Sequence, residues 1–165
     1  MEQKNSYNIA DGFAPLKYLS ALTFDHHIEM SSAGGMDFRT QLQGHALVID
    51  GHKDIGGTDQ GPSPKQLLLV SLAGCTGIDM VSLLRKMRAD FGELHIAVSG
   101  KLTEEHPRYY DRIHVVYTVL GMHEEARPKM EKAVHLSLTR YCGVTAMLAK
   151  AAEITHEIRY GTDEA

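Results

Sequence analysis

The sequence predicts an α+β domain, and three observations carry that expectation. Short alternating apolar runs with β-branched residues lie on either side of one long apolar stretch at residues 67–81, whose residue types favour a helix. The order that results is strands, long helix, strands, helices and a final strand, not the repeated β-α-β alternation of a parallel sheet. At 165 residues, with 43% hydrophobic and 23% charged, the chain has the size and composition of one globular domain with a real core.

Taken in order, residues 1 to 15 are polar and mixed, and residues 16–29 carry no clear period, so residues 1–30 are read as an N-terminal extension to a domain at 31–165. "DFRTQLQGHALVID" holds two short runs around Gln43-Gly44, a hairpin signal, with residues 46–49 expected as its buried second strand. "GHKDIGGTDQGPSP" follows, with four Gly and two Pro in fourteen residues; it is a loop. Ser63 is a good N-cap and Pro64 suits the first helical position, where its missing N–H costs nothing. From there nothing but Gly74 and Gly77 interrupts a helix before residues 90–92, which predicts about 26 residues and a length of about 40 Å. Its first two thirds are apolar on every side, so it has to be covered on every side, by a second helix or a second subunit.

Beyond the helix, Leu94, Ile96 and Val98 and then residues 110–120 alternate as two strands of a long antiparallel pair, joined by the polar "TEEHPRYYD". "EEARPKMEKAVHLSLTRYC" places Met130, Val134, Leu136 and Leu138 near helical spacing, with Gly143 as the break just past Cys142. A short helix at 144–152 and a strand at 154–160 complete the order.

The bulk properties narrow the function. A net charge of −4 offers no basic footprint for phosphates, which argues against nucleic acid and anionic membranes as partners. The N-terminus lacks a basic start and an unbroken apolar segment, so no signal peptide and a cytoplasmic site are expected. The run at 67–81 is broken by Ser71, Thr76 and Asp79 and is shorter than the roughly 20 residues of a bilayer crossing. In a reducing compartment two cysteines point to free thiols, a metal site or a redox pair rather than a structural staple. Metal is the weakest of these, because the cysteines stand 67 positions apart without a CxxC or HxxxC partner.

Cys75 lies within "SPKQLLLVSLAGCTGIDM", among Ala73, Gly74 and Gly77, with Ser71 and Asp79 one turn away on either side. The residues alone leave two readings open: a small packing residue of a helix contact, or a thiol placed to react. Burial and the Asp79 carboxylate both raise a thiol pKa, so a reactive Cys75 needs a cation from elsewhere. Lys65 is ten positions away, roughly 15 Å along the helix, and can act only on a thiol of another chain or stand solvated in the first turn. Arg39, beside the hairpin, is the other candidate cation, or an ordinary surface residue. His135 is about 10 Å along its helix from Cys142, too far for a direct pair, and His26 and His27 point apart in an extended chain.

"GPSPKQLLLVSLAGCTGIDMVSLLRKMR" and, after two strands, "HLSLTRYCGVTAMLAKAAEITHEI" carry a cysteine each. Together they resemble the OsmC/Ohr family of osmotically inducible and organic-hydroperoxide-resistance proteins, over about residues 36 to 160. The resemblance implies an α+β fold in which two chains wrap into an intertwined homodimer, with the long cysteine helices packed between curved antiparallel sheets. It implies a thiol peroxidase with no cofactor and no metal. Cys75 resembles the peroxidatic cysteine that becomes a sulfenic acid, and Cys142 the resolving one that closes a disulfide, reopened by a dithiol or lipoyl-type reductant. Arg39 is similar, at an offset, to the arginine that members of the hydroperoxide-resistance branch hold over the thiolate. Lys65 stands where that branch has the glutamate holding the arginine, in Pro64-Lys65-Gln66-Leu67, and Asp79 is typical of a less characterised branch. Peroxide reduction is therefore the expected function. The alternatives are a small-molecule binding or redox-sensing protein on the same scaffold, or a structural dimer with inert thiols.

Overall fold

The computed structural model describes residues 7–8, 14–15 and 25–161, so most of the expected extension at 1–30 lies outside the described residues. Strands β1 (Tyr7–Asn8) and β2 (Ala14–Pro15) pair antiparallel. Strands β3 (Phe38–Leu42) and β4 (His45–Ile49) form the expected hairpin, in register from Phe38 opposite Ile49 to Leu42 opposite His45. Gln43 and Gly44 make its two-residue turn with φ of 50° and 85°; two left-handed residues match the twist of the strands they join. The second strand is not the buried one expected. His45 and Ala46 are exposed and Leu47, Val48 and Ile49 only half-buried, because among the described residues the hairpin is a two-stranded sheet in which β3 has a further bridge, to Ser31, and β4 has no strand on its outer side.

Behind the hairpin, the loop at 51–63 winds around Asp50. This carboxylate is 2% exposed and accepts hydrogen bonds from the backbone N–H groups of Gly51 (2.7 Å), Thr58 (2.9 Å) and Gln60 (3.1 Å) and from the Thr58 hydroxyl (3.0 Å). The Gln60 N–H first, with Thr58 and Gly51 in support, holds the carboxyl below its ordinary range against the opposing effect of burial.

Helix α1 (Pro64–Lys86) begins where Ser63 and Pro64 predict, and the Ser63 N–H donates to Gln66 Oε1 at 3.2 Å. It ends three residues short of the expected length. Arg88 turns left-handed (φ 51°), its N–H bonds the Arg85 carbonyl at 3.1 Å, and the Ala89 N–H bonds the Leu84 carbonyl at 3.0 Å. This is a Schellman cap closed by buried Ala89 and Leu84, with arginine in the position glycine usually fills, so no glycine marked it. Leu72, Thr76, Met80 and Leu84, one turn apart, form the buried line of α1; a leucine truncated to alanine on it costs about 2–5 kcal/mol. On the opposite side Val70 is 62% and Ile78 73% exposed, so the chain covers one face of the helix and leaves the other open. At 23 residues α1 is long and apolar enough to cross a bilayer by length and composition, longer than the apolar run suggested, but its buried line belongs to the core.

Strands β5 (Leu94–Leu102) and β6 (Tyr110–Leu120) pair antiparallel, as expected. Alternation in β6 turns Ile113, Val115, Tyr117 and Val119 into the core. Gly77 of α1 lets β5 come close: a Cβ there would stand 2.9 Å from the Ile96 side chain. Helix α2 (Arg127–Leu136), a π-helical turn at Ser137–Tyr141 and helix α3 (Gly143–Leu148) lead to strand β7 (Glu153–Gly161). Cys142, not Gly143, breaks the helical run, and Gly143 opens α3. β7 lies beside β6 and parallel to it, so this sheet, in the order β5-β6-β7, is mixed rather than wholly antiparallel. The helical crossover between them returns the chain to the end at which β6 began, as a parallel pair requires.

Candidate functional site

The two halves of the site come from helices of different regularity. Helix α1 offers Cys75 and Asp79, one turn apart on the flank of its buried line. Opposite them the chain leaves α2 through the π turn, in which the Cys142 N–H reaches back five residues to the Ser137 carbonyl (2.9 Å). The turn sets Ser137 against Asp79 and Cys142 against Cys75. The Ser137 hydroxyl donates to Asp79 Oδ2 at 2.7 Å, and the Cys142 thiol donates to Cys75 Sγ at 2.8 Å. Two residues 67 positions apart are thereby in sulfur contact, Cys142 buried and Cys75 half-buried.

Cys142 has a second task. Its backbone is extended (φ −74°, ψ 102°), and its sulfur accepts the Thr145 N–H at 3.3 Å, capping α3 where a serine or aspartate is usual. Burial pushes the Cys75 thiol up, the thiol–thiol hydrogen bond adds to this, and the charges of Cys142 and Asp79 act in the same direction; only the Val144 N–H pulls it down. Tyr117 stands behind the pair on β6. It is fully buried, and burial raises its phenol, with the charges of Cys142 and Asp79 acting in the same direction and the neighbouring Thr76 hydroxyl against it; its own hydroxyl makes no well-formed hydrogen bond among the described residues.

The structure therefore brings Cys75 and Cys142 together and places the two candidate cations apart from them. Arg39 lies on β3, half-exposed, with its Nε donating to Asp37 Oδ2 at 2.9 Å. Lys65 sits in the first turn of α1, beside a hollow of about 410 Å³ lined also by Asp50, His52, Arg108 and Tyr110. Neither is among the groups that act on the thiol within one chain. Sequence reasoning found Asp79 but not its partner Ser137, nor Tyr117, nor the two amides at Val144 and Thr145. The four-residue step from Cys75 to Asp79 matches the five-residue step from Ser137 to Cys142 only if a π turn is assumed, and no residue type announces one.

The ligand atoms of Cys75, Asp79 and Cys142 lie within 4.8 Å of one another, so distance along the chain does not keep a metal from this site. Two sulfurs in contact can also pass through a sulfenic acid to a disulfide and back by exchange.

Comparison with known proteins identifies the family and the fold. A family model described as OsmC-like protein matches residues 57–157. Protein YhfA of Escherichia coli K12 is 35% identical over 113 residues, 68% of this chain and 81% of that protein. The crystal structure of a hypothetical protein from Aquifex aeolicus VF5 superposes with a TM-score of 0.68 at 27% identity, covering 82% of this chain and 96% of that one. That of an organic hydroperoxide resistance protein OsmC from Legionella pneumophila gives 0.59 at 13% identity over 83% of this chain and 99% of that one, a likeness of fold alone. With a family match over more than half its length and a relative at 35% identity, the chain belongs to the OsmC family.

Proposed function

We propose that this protein reduces hydroperoxides through the Cys75–Cys142 pair. The observation that carries the reading is the 2.8 Å contact between a half-buried thiol and a buried one. In the proposed cycle the Cys75 thiolate attacks one peroxide oxygen, the O–O bond breaks, and the leaving oxygen takes a proton to depart as an alcohol. The resulting sulfenic acid is attacked by the Cys142 sulfur, water leaves, and a disulfide forms. A dithiol of the dihydrolipoyl type then restores both thiols by exchange, becoming a disulfide itself.

The open apolar face at Val70 and Ile78 supports a homodimer built along α1. In that assembly Arg39 and Lys65 of one copy are the proposed cations for the thiol of the other, since none of the described residues of its own chain brings a cation to it. Ile78→Asp is then expected to shift the protein to monomers in sedimentation and to lower turnover with it. The direct test is consumption of cumene hydroperoxide with dihydrolipoamide as reductant: activity in the natural chain, and its loss in Cys75→Ser, are expected. A natural chain that consumes no peroxide while both thiols remain titratable would refute the enzyme. A second reading, redox sensing without efficient turnover, draws its support from the upward push on the Cys75 thiol.

A further inference from the structure

We propose that the reduced chain binds one zinc-class divalent cation through Cys75 Sγ, Cys142 Sγ and an oxygen of Asp79, and that oxidation of the thiol pair releases it. This inference uses the same sulfurs as the proposed peroxidase but does not depend on turnover. Thiolates with a carboxylate select a borderline-soft ion such as Zn²⁺ over Mg²⁺ or Ca²⁺, which take oxygen ligands. The three donor atoms lie within 4.8 Å of one another. Two ligands on one tetrahedral zinc stand roughly 3.3–3.8 Å apart, so the sulfurs, now 2.8 Å apart, have to part by roughly 1 Å. Half-buried Cys75 is the one with room to move, since Cys142 is buried and tied to the Thr145 N–H.

The surroundings supply what a metal site needs around its ligands. The Ser137 hydroxyl orients the Asp79 carboxylate at 2.7 Å, and the Thr145 amide hydrogen-bonds the Cys142 sulfur. Tyr117, fully buried on β6 beside the Thr76 hydroxyl, is near enough for the charges of Cys142 and Asp79 to act on it, and supplies an aromatic wall rather than a ligand. Charge points the same way: among the described residues no Lys or Arg forms an ion pair with Asp79, so its carboxylate is free of a competing cation.

Binding is balanced by protons: two thiols and M²⁺ give the dithiolate complex and two H⁺. A hydroperoxide then takes two electrons from the complex and two protons from the medium, such as those released on binding. This oxidation yields the disulfide, an alcohol, water and free M²⁺, so occupancy and disulfide exclude each other.

Cobalt(II) is the probe, added to the full chain reduced with a phosphine and, separately, to the chain oxidised to its internal disulfide. The reduced chain is expected to take up one equivalent with thiolate-to-cobalt charge-transfer absorption, displaced by Zn²⁺, and the disulfide form is expected to show none. Asp79→Asn is expected to weaken binding at least tenfold. A reduced natural chain without that absorption overturns the proposal with no variant needed, and so does absorption that persists in the disulfide form. Equal affinity in a folded Asp79→Asn chain removes Asp79 from the ligand set and overturns the proposed site. Cobalt binding by a chain without peroxide turnover would sink the proposed function and leave this inference standing, and turnover by a chain that binds no cobalt would do the reverse.

Discussion

Asp50 and Cys75 are both withdrawn from water, and the chain treats them in opposite ways. Asp50 receives three backbone amides and a hydroxyl, and its carboxyl is held below the ordinary range. Cys75 faces a second thiol and a carboxylate with one amide in its favour, and its thiol is pushed up. A buried anion given enough donors becomes a structural fixture; one given too few remains dependent on what reaches it from outside. The loop at 51–63 is of the first kind. The thiol site is of the second, and a substrate, a second copy or a cation is proposed to complete it.

The largest effect that tests this contrast is expected in Cys142→Ser. Internal disulfide formation should vanish altogether, and treatment with peroxide should leave Cys75 as a sulfenic acid that dimedone traps and mass spectrometry counts; a disulfide form surviving within the monomer would contradict the pairing. Next comes Asp50→Ala, which strips four donors of their acceptor. Proteolysis within residues 51–63 should then become fast while the thiols still pair. The natural chain should mimic this in acid. The carboxyl is depressed in the folded state, so its stabilisation is present above the unfolded value near 3.8 and is lost as pH falls through the lower folded value.

At the thiol site the sign is reversed. The folded Cys75 thiol lies above its usual value near 9.0, so the folded state holds its proton more tightly and loses that advantage as pH rises through the folded value. Iodoacetamide at neutral pH should alkylate Cys75 more slowly than a model thiol, with the rate still climbing above pH 9.0. Asp79→Asn should speed alkylation at pH 7 a few-fold by removing a negative neighbour, and an unchanged or slower rate would mean that Asp79 has no purchase on the sulfur. The smallest effect is expected from Tyr117→Phe. Deleting a buried hydroxyl that makes no well-formed hydrogen bond among the described residues, with the Thr76 hydroxyl as its polar neighbour, should change stability by no more than about 1 kcal/mol in denaturant melts, whereas a larger loss would reveal a bond to that oxygen.

Local chemistry made much of the fold legible beforehand. Gln43-Gly44 dictates a tight turn, Ser63-Pro64 starts a helix, and the alternation through Ile113, Val115, Tyr117 and Val119 picks out a core strand. What escaped notice depends on distant partners. Arg88 ends α1 because the Ala89 N–H beyond it finds the Leu84 carbonyl, not because arginine favours that conformation. β7 runs parallel to β6 because a crossover brings it there, and the exposure of Ala46 reflects an outer edge of the hairpin that no strand covers among the described residues. In the site, the cysteine pair was legible from its two motifs. Ser137 and Tyr117 were not, since an ordinary helical serine and a core tyrosine look alike until the π turn and β6 set them beside Asp79 and Cys142.

The π turn ties the thiol pair to backbone order. The sulfur that caps α3 through the Thr145 N–H is also the one in contact with Cys75, so any covalent change at the pair, such as the proposed disulfide, would act on the first residues of a helix whose Met147 faces solvent, and the exposed surface there would report the state of the buried sulfurs.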